Sequence, residues 1–159
     1  MLAQQLKLLS PTVQIVNASI SGDTTSGGRS RLAALLARDH PQIVVIELGG
    51  NDALRGLALS MSQDNLTKMV EQAQQAGAKV IVVGMQIPPN YGREYGLAFK
   101  SMFSKVSEAT HSALVPFLLE GVGPQKEMFQ PDGIHPNESA QPIMMETVLK
   151  VLLPVLKGL

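Results

Sequence analysis

From Pro11 onward the chain alternates short β-branched runs with longer stretches in which apolar residues recur every three or four positions. Val13-Gln14-Ile15-Val16, Ile43-Val44-Val45-Ile46-Glu47-Leu48, Val80-Ile81-Val82-Val83 and the shorter Ala113-Leu114-Val115-Pro116 predict strands. The second run is nearly all apolar, as a strand covered on both faces requires, and Pro116 marks the end or edge of the fourth. Helical periods fall between them, at about 30–39 with Leu32, Leu35 and Leu36 on one face, about 62–75 and about 95–110. A last period, about 140–156, carries Ile143, Met144, Val148, Val151 and Leu152, with Pro142 near its start, where no backbone donor is needed. Ahead of the first strand, Leu2, Leu6 and Leu9 recur at helical spacing. Ser10-Pro11 ends that element, because a residue preceding proline is pushed out of the α region. Strands alternating with helices predict βα units around a mostly parallel sheet. With no repeat, low-complexity stretch or linker, residues 1–159 read as one α/β domain.

Composition narrows the partners. At 159 residues and 45% hydrophobic content the chain can bury one sizeable core. Thirteen basic and thirteen acidic residues are scattered rather than blocked. No electrostatic footprint for nucleic acid or an anionic membrane is visible, and a neutral partner of modest size fits better. The lack of cysteine excludes disulfide and thiolate chemistry and leaves the redox compartment undetermined. No apolar run approaches the roughly 18–20 residues that span a bilayer, so a soluble chain without stable membrane insertion is expected. The first ten residues lack the basic leader and uninterrupted apolar stretch of a signal peptide. They read as the tail of an amphipathic helix, which raises the expectation of a truncated front.

The polar residues of interest follow strands, where open α/β sheets place their ligand sites. Residues 17–25 follow the first strand, Gly49-Gly50-Asn51-Asp52 the second and Gln86-Ile87-Pro88-Pro89-Asn90-Tyr91 the third, while Asp132-Gly133-Ile134-His135-Pro136-Asn137 precedes the last helix. All four can converge on one edge of the sheet. Asp132 and His135, three apart across a glycine, can set a carboxylate against one imidazole nitrogen and leave the other for a cleft, the arrangement of a general base and its orienting acid. The same pair can equally serve only to satisfy backbone donors in a loop. Asn51, after two glycines, can offer its amide to a developing oxyanion, and Gly22 a backbone N–H with no side chain in the way. An ordinary turn explains each of them as well. His40, His111 and His135 are far apart, and none stands at metal-ligand spacing with another His. His40 and His111 read as helix-end residues. No metal or other cofactor is expected. Gly27-Gly28 before a helix could hold an anion, but neither a lysine-bearing P-loop nor a G-x-G-x-x-G accompanies it.

Taken together and in order, these blocks resemble the SGNH/GDSL hydrolase family, in its acyl-CoA thioesterase I, arylesterase and lysophospholipase branch. Residues 17–24, Asn-Ala-Ser-Ile-Ser-Gly-Asp-Thr, resemble the family's second block, Glu47-Leu48-Gly49-Gly50-Asn51-Asp52 its third and Asp132-Gly133-Ile134-His135-Pro136 its fifth. Ile87-Pro88-Pro89-Asn90-Tyr91-Gly92-Arg93-Glu94-Tyr95 is similar to the mobile substrate-side loop of that branch. The resemblance implies a flavodoxin-like three-layer α/β/α sandwich and an ester or thioester hydrolase acting by serine acyl transfer on a small acyl substrate. It assigns His135 as base, Asp132 as its acid partner, Gly22 and Asn51 as oxyanion donors, and Ile87, Pro88, Asn90 and Tyr91 to the substrate loop. Met85 joins that loop as a candidate for an apolar acyl channel, with core packing the equal alternative for Met85 and Ile87. Relatives of this branch are commonly exported to the periplasm.

One block has no counterpart. The family's Gly-Asp-Ser-Leu, which ends a first strand and supplies the nucleophile, is absent; Gly22-Asp23-Thr24 belongs to the second block and has Thr where Ser would stand. The resemblance places the missing strand upstream, in mid-sheet between the first two predicted strands. Losing about five buried apolar side chains at about 2 kcal/mol each forfeits on the order of 10 kcal/mol, comparable to a domain's whole stability. Either the sheet closes over the gap or a second copy pairs with the exposed edge as a homodimer. Ser21, adjoining Gly22, and Ser19 are the substitute nucleophiles nearest the oxyanion block, and an ordinary loop role fits both. A catalytically impaired remnant that self-associates or binds an acyl ligand is the alternative expectation.

Overall fold

The computed structural model describes residues 2–159. In chain order the regular elements are α1 (Leu2–Leu9), α2 (Thr25–Asp39), β1 (Ile43–Ile46), α3 (Gly50–Leu54), α4 (Leu59–Gln75), β2 (Lys79–Val83), α5 (Arg93–Thr110), β3 (Ala113–Val115) and α6 (Gln141–Lys157), with single 3-10 turns at Pro89–Tyr91, Lys126–Met128 and Glu138–Ala140. The three strands form one parallel sheet in the order β1-β2-β3. Val44 pairs with Val80 and Ile46 with Val82, and on the other side Val83 pairs with Val115. Parallel neighbours need a crossover. Here α3 and α4 join β1 to β2, and α5 joins β2 to β3.

The two-residue side-chain period of β2 divides the core. Val80 and Val82 point into a cluster with Leu32 and Leu36 of α2, Leu66, Met69 and Val70 of α4, and Phe99, Met102, Phe103 and Val106 of α5. Ile81 and Val83 point the other way, onto Leu6 of α1, Val115 of β3, and Val148, Leu149 and Leu152 of α6. Helices therefore cover both faces of the sheet, as the resemblance implies. Phe99 and Phe103 meet edge to face, ring centroids 5.1 Å apart, which anchors α5 within the larger cluster.

Helix ends follow local chemistry. The Thr24 hydroxyl accepts the Gly27 N–H at 3.2 Å and caps α2. His40 and His111 close α2 and α5 in the left-handed conformation (φ 43° and 53°), so both are helix-end residues, as the sequence predicts. Residues 138–157, which include α6, are long and apolar enough to cross a membrane by length and composition, contrary to the expectation that no stretch is. In this fold that stretch contributes Val148, Leu149 and Leu152 to the smaller cluster.

Two other expectations are corrected. Val13–Val16 is not a strand: it pairs with nothing, and Ile15 and Val16 are 40% and 56% exposed. β-branched residues favour an extended backbone, but a strand exists only where a neighbour takes its N–H and C=O groups. No strand of this sheet flanks the outer side of β1, and Val45 in that edge strand is 44% exposed. The sheet therefore does not close over the gap within this chain. The second predicted strand also stops at Ile46 rather than Leu48. Gly49, with φ at 115°, turns the chain into α3.

Candidate active site

The turn at residues 130–135 is built around one carboxylate. Asp132 Oδ1 accepts the backbone N–H groups of Ile134 (2.9 Å) and His135 (3.0 Å), while Oδ2 lies 2.7 Å from His135 Nδ1. Gly133 permits the tight reversal with φ at 68°. The turn is closed by the Gln130 N–H on the His135 carbonyl at 2.8 Å and by an antiparallel bridge between Phe129 and Pro136. Asn137 fastens its base: its Nδ2 donates to the Glu127 carbonyl at 2.7 Å, and its N–H to the Met128 carbonyl at 2.8 Å. The hydrogen bonds from the His135 and Ile134 backbones, then the His135 ring, hold the Asp132 carboxyl down to about 2. Side-chain exposure is 44% for Asp132 and 68% for His135, so the imidazole edge away from Asp132 faces solvent.

The second cluster joins residues 18–25 to the segment after β1. Gly22 adopts φ 75° in a turn closed by the Asp23 N–H on the Ile20 carbonyl at 3.2 Å. Arg31 straps this turn to α2: its Nη2 pairs with Asp23 at 2.9 Å, and its Nη1 donates to the Ala18 carbonyl at 2.6 Å. Asn51 Nδ2 donates to the Asp23 carbonyl at 2.9 Å, and Arg55 Nη2 to the Gly22 carbonyl at 3.0 Å. Gly22 and Asn51, read separately from the sequence, therefore sit on two segments bonded directly to each other.

Behind them is a network that the sequence reading did not single out. Asp52, fully buried, accepts the Thr25 N–H on Oδ2 at 2.9 Å, and on Oδ1 the hydroxyls of Thr25 at 2.5 Å and Ser62 at 3.0 Å. Thr25 Oγ1 also accepts Asn65 Nδ2 at 3.0 Å, and Asn65 Oδ1 accepts Arg29 Nη1 at 3.0 Å. The available signal was a carboxylate immediately after a candidate donor, on a segment too short to show a helical period.

The remaining candidates are distributed as follows. Ile87 and Met85, both partly buried, pack against the larger core cluster, and the Met85 sulfur also approaches Gly50. Pro88 is half-buried, and Asn90 and Tyr91 are exposed in the 3-10 turn. Beyond it, the Tyr95 hydroxyl donates to the Leu57 carbonyl at 3.2 Å, tying the start of α5 to the segment after α3. Ser19 and Ser21 are exposed, and the Ser19 N–H donates to Asn17 Oδ1 at 3.0 Å. Among the described residues no serine hydroxyl is hydrogen-bonded to the His135 ring, and no group of three or more acidic or His side chains is arranged to hold a metal ion.

The chain is 53% identical over 143 residues to esterase TesA of Pseudomonas aeruginosa, covering 90% of this chain and 71% of that one. It is 40% identical over 141 residues to thioesterase 1/protease 1/lysophospholipase L1 of Escherichia coli K12, covering 89% and 68%. A crystal structure of TesA superposes with a TM-score of 0.93 at 50% identity, over 97% of this chain and 86% of that one. Residues 1–141 match the model of the GDSL-like Lipase/Acylhydrolase family. A family match over residues 1–141, a shared fold and identities of this size leave one assignment: the chain belongs to the GDSL-like lipase/acylhydrolase family.

Proposed function

We propose that this chain carries the acid–base and oxyanion half of an ester or thioester hydrolase site working by acyl transfer. The Asp132–His135 pair carries the reading: a 2.7 Å contact fixes the ring while leaving its other nitrogen open to solvent. In this reading His135 takes the proton of an attacking hydroxyl and returns it to the leaving group, and Asp132 fixes the tautomer and stabilises the imidazolium. The Gly22 N–H and the second hydrogen of the Asn51 amide meet the negative charge that develops on the carbonyl oxygen. Small acyl esters or thioesters are the substrate class, by analogy with relatives named esterase, arylesterase and thioesterase. Ile87, Pro88, Asn90 and Tyr91 would border the acyl chain.

Ser21 is the first choice for the attacking hydroxyl, because it is exposed and adjoins Gly22, with Ser19 second. The test is intact-mass analysis after exposure to a fluorophosphonate, with the labelled residue mapped and a His135→Ala control. A single adduct lost in the control supports the reading and identifies the nucleophile. No adduct on the unmodified chain overturns it.

The exposed edge strand favours a second reading, in which the chain has little catalytic power and self-associates. The outer side of β1 is unpaired, and Ile15, Val16, Ile20 and Val45 are all exposed. An open apolar edge of this kind is a template for pairing with a second copy.

A further inference from the structure

We infer that Asp52 is a positioning residue, and that its bonds to Thr25 set the distance between the two proposed oxyanion donors, Gly22 and Asn51. The inference rests on the acyl-transfer reading for its purpose, but not for its geometry.

An aspartate in the first turn of a helix ordinarily serves that helix's own free N–H groups. Asp52 does not. Every hydrogen bond to its carboxylate comes from another element: two from Thr25, the first residue of α2, and one from Ser62 of α4. The carboxylate thus occupies the positive end of α2, where a free backbone N–H and the helix dipole both favour an anion. Its Thr25 partner is held in turn by Asn65, and Asn65 by Arg29. A buried carboxylate held by three donors from two elements has little room to move, because displacement strands a donor away from water.

Position 52 transmits that placement to the site. Asn51 and Asp52 are successive residues of a five-residue helix and project in different directions: Asn51 reaches the Asp23 carbonyl and Asp52 reaches Thr25. Asp23 and Thr25 flank Thr24 just after Gly22: Asp23 closes the Gly22 turn and Thr25 opens α2. Adjacent residues of α3 therefore grip two positions of the facing segment, Asn51 donating to the Asp23 carbonyl and Asp52 accepting both Thr25 bonds. The Asn51 bond is part-buried and the Arg55 bond to the Gly22 carbonyl is exposed, whereas the two Thr25 bonds are buried and fix both spacing and angle. The Asn51 amide is only half-buried, and among the described residues the Asp23 carbonyl is its one partner. The Asp52 clamp is what keeps that part-buried contact formed.

The test uses the full 159-residue chain. The Asn51 side-chain amide is followed by two-dimensional 15N–1H NMR and hydrogen exchange in the unmodified protein and in Asp52→Asn, Thr25→Val and Thr25→Ser. Asp52→Asn and Thr25→Val are expected to shift the Asn51 amide toward free-amide values and to speed its exchange by about tenfold or more. Thr25→Ser, which keeps the hydroxyl, is expected to retain the original signal. If Asp52→Asn does not fold, Thr25→Val, which preserves shape and the backbone N–H, decides the matter. An unmoved Asn51 amide in the folded variants overturns the inference, as does a purely structural pattern in which melting temperature falls equally for Thr25→Ser and Thr25→Val. Fluorophosphonate labelling is run on the same samples. Absence of labelling in the unmodified chain defeats the acyl-transfer reading alone, since the NMR result does not depend on it.

Discussion

Asp132 uses both carboxylate oxygens on residues within three positions of itself: Oδ1 takes the backbone N–H groups of Ile134 and His135, and Oδ2 meets His135 Nδ1 at 2.7 Å. The acid thus shapes the loop with one oxygen and orients the ring with the other. Asp132→Asn preserves size but can satisfy only part of this set, and its neutral amide cannot stabilise an imidazolium. The fluorophosphonate labelling rate is expected to fall by about 10²-fold or more, the ordinary scale of a general base contribution. The rate constant of labelling at neutral pH, compared with that of the unmodified chain, checks this. An unchanged rate would mean that His135 works without Asp132.

The same geometry sets a pH dependence. Backbone donors from His135 and Ile134, then the His135 ring, depress the Asp132 carboxyl from its ordinary 3.8 to about 2. A carboxyl depressed in the folded state contributes stability that is fully present above its unfolded pKa and is lost as pH falls through the folded value. Any contribution from Asp132 should therefore be intact above about pH 4 and disappear progressively toward pH 2. A carboxyl-carbon NMR titration of Asp132 should show its midpoint near 2, and one near 4 would mean that the loop bonds are not formed in solution.

Much of the larger fold was legible in the sequence because those elements rest on local pattern. Four consecutive buried residues, Val80–Val83, leave no alternative to a central strand, and the leucines of α2 and the aromatic residues of α5 declare their buried faces. Val13–Val16 misled because its pattern records a preference for extended backbone, whereas a strand also needs a partner that no sequence window contains. At the site, Asp132 and His135 were readable because their interaction spans three residues. The Asp52–Thr25 clamp was not, since its partners are 27 positions apart and α3 is too short to show a period.

The open edge yields a prediction about assembly. Val45 lies in β1, exposed, with no strand on the outer side. If two copies pair there, Val45→Lys brings like charges together across the new interface while costing the free chain little, since an exposed site away from special contacts tolerates substitution within about 0.5 kcal/mol. Sedimentation velocity should show a dimer for the unmodified chain and a monomer for Val45→Lys at the same concentration. A monomer in both cases would remove strand pairing through β1.

Gly84 tests the packing that links the sheet to the segment after β3. It follows β2 directly, its N–H donates to the Val115 carbonyl at 2.7 Å, and its own carbonyl accepts the Leu118 N–H at 2.9 Å. A Cβ at this position would run into the Pro116 carbonyl oxygen and lie 2.9 Å from the Val115 carbonyl oxygen. Both obstacles are backbone, so neither can rotate away as a side-chain tip would. Relief requires β2 and the 115–118 segment to separate, weakening both hydrogen bonds and loosening Val83 and Val115, which are buried in the smaller cluster. Gly84→Ala is therefore expected to destabilise the chain by about 1–3 kcal/mol, the usual cost of overpacking. Gly56→Ala supplies the contrast: open space surrounds that position, and its penalty comes from φ at 67° rather than from collision. Urea unfolding of the two variants should place Gly84→Ala well below Gly56→Ala in midpoint, and the reverse order would mean that this junction has more freedom than its close contacts allow.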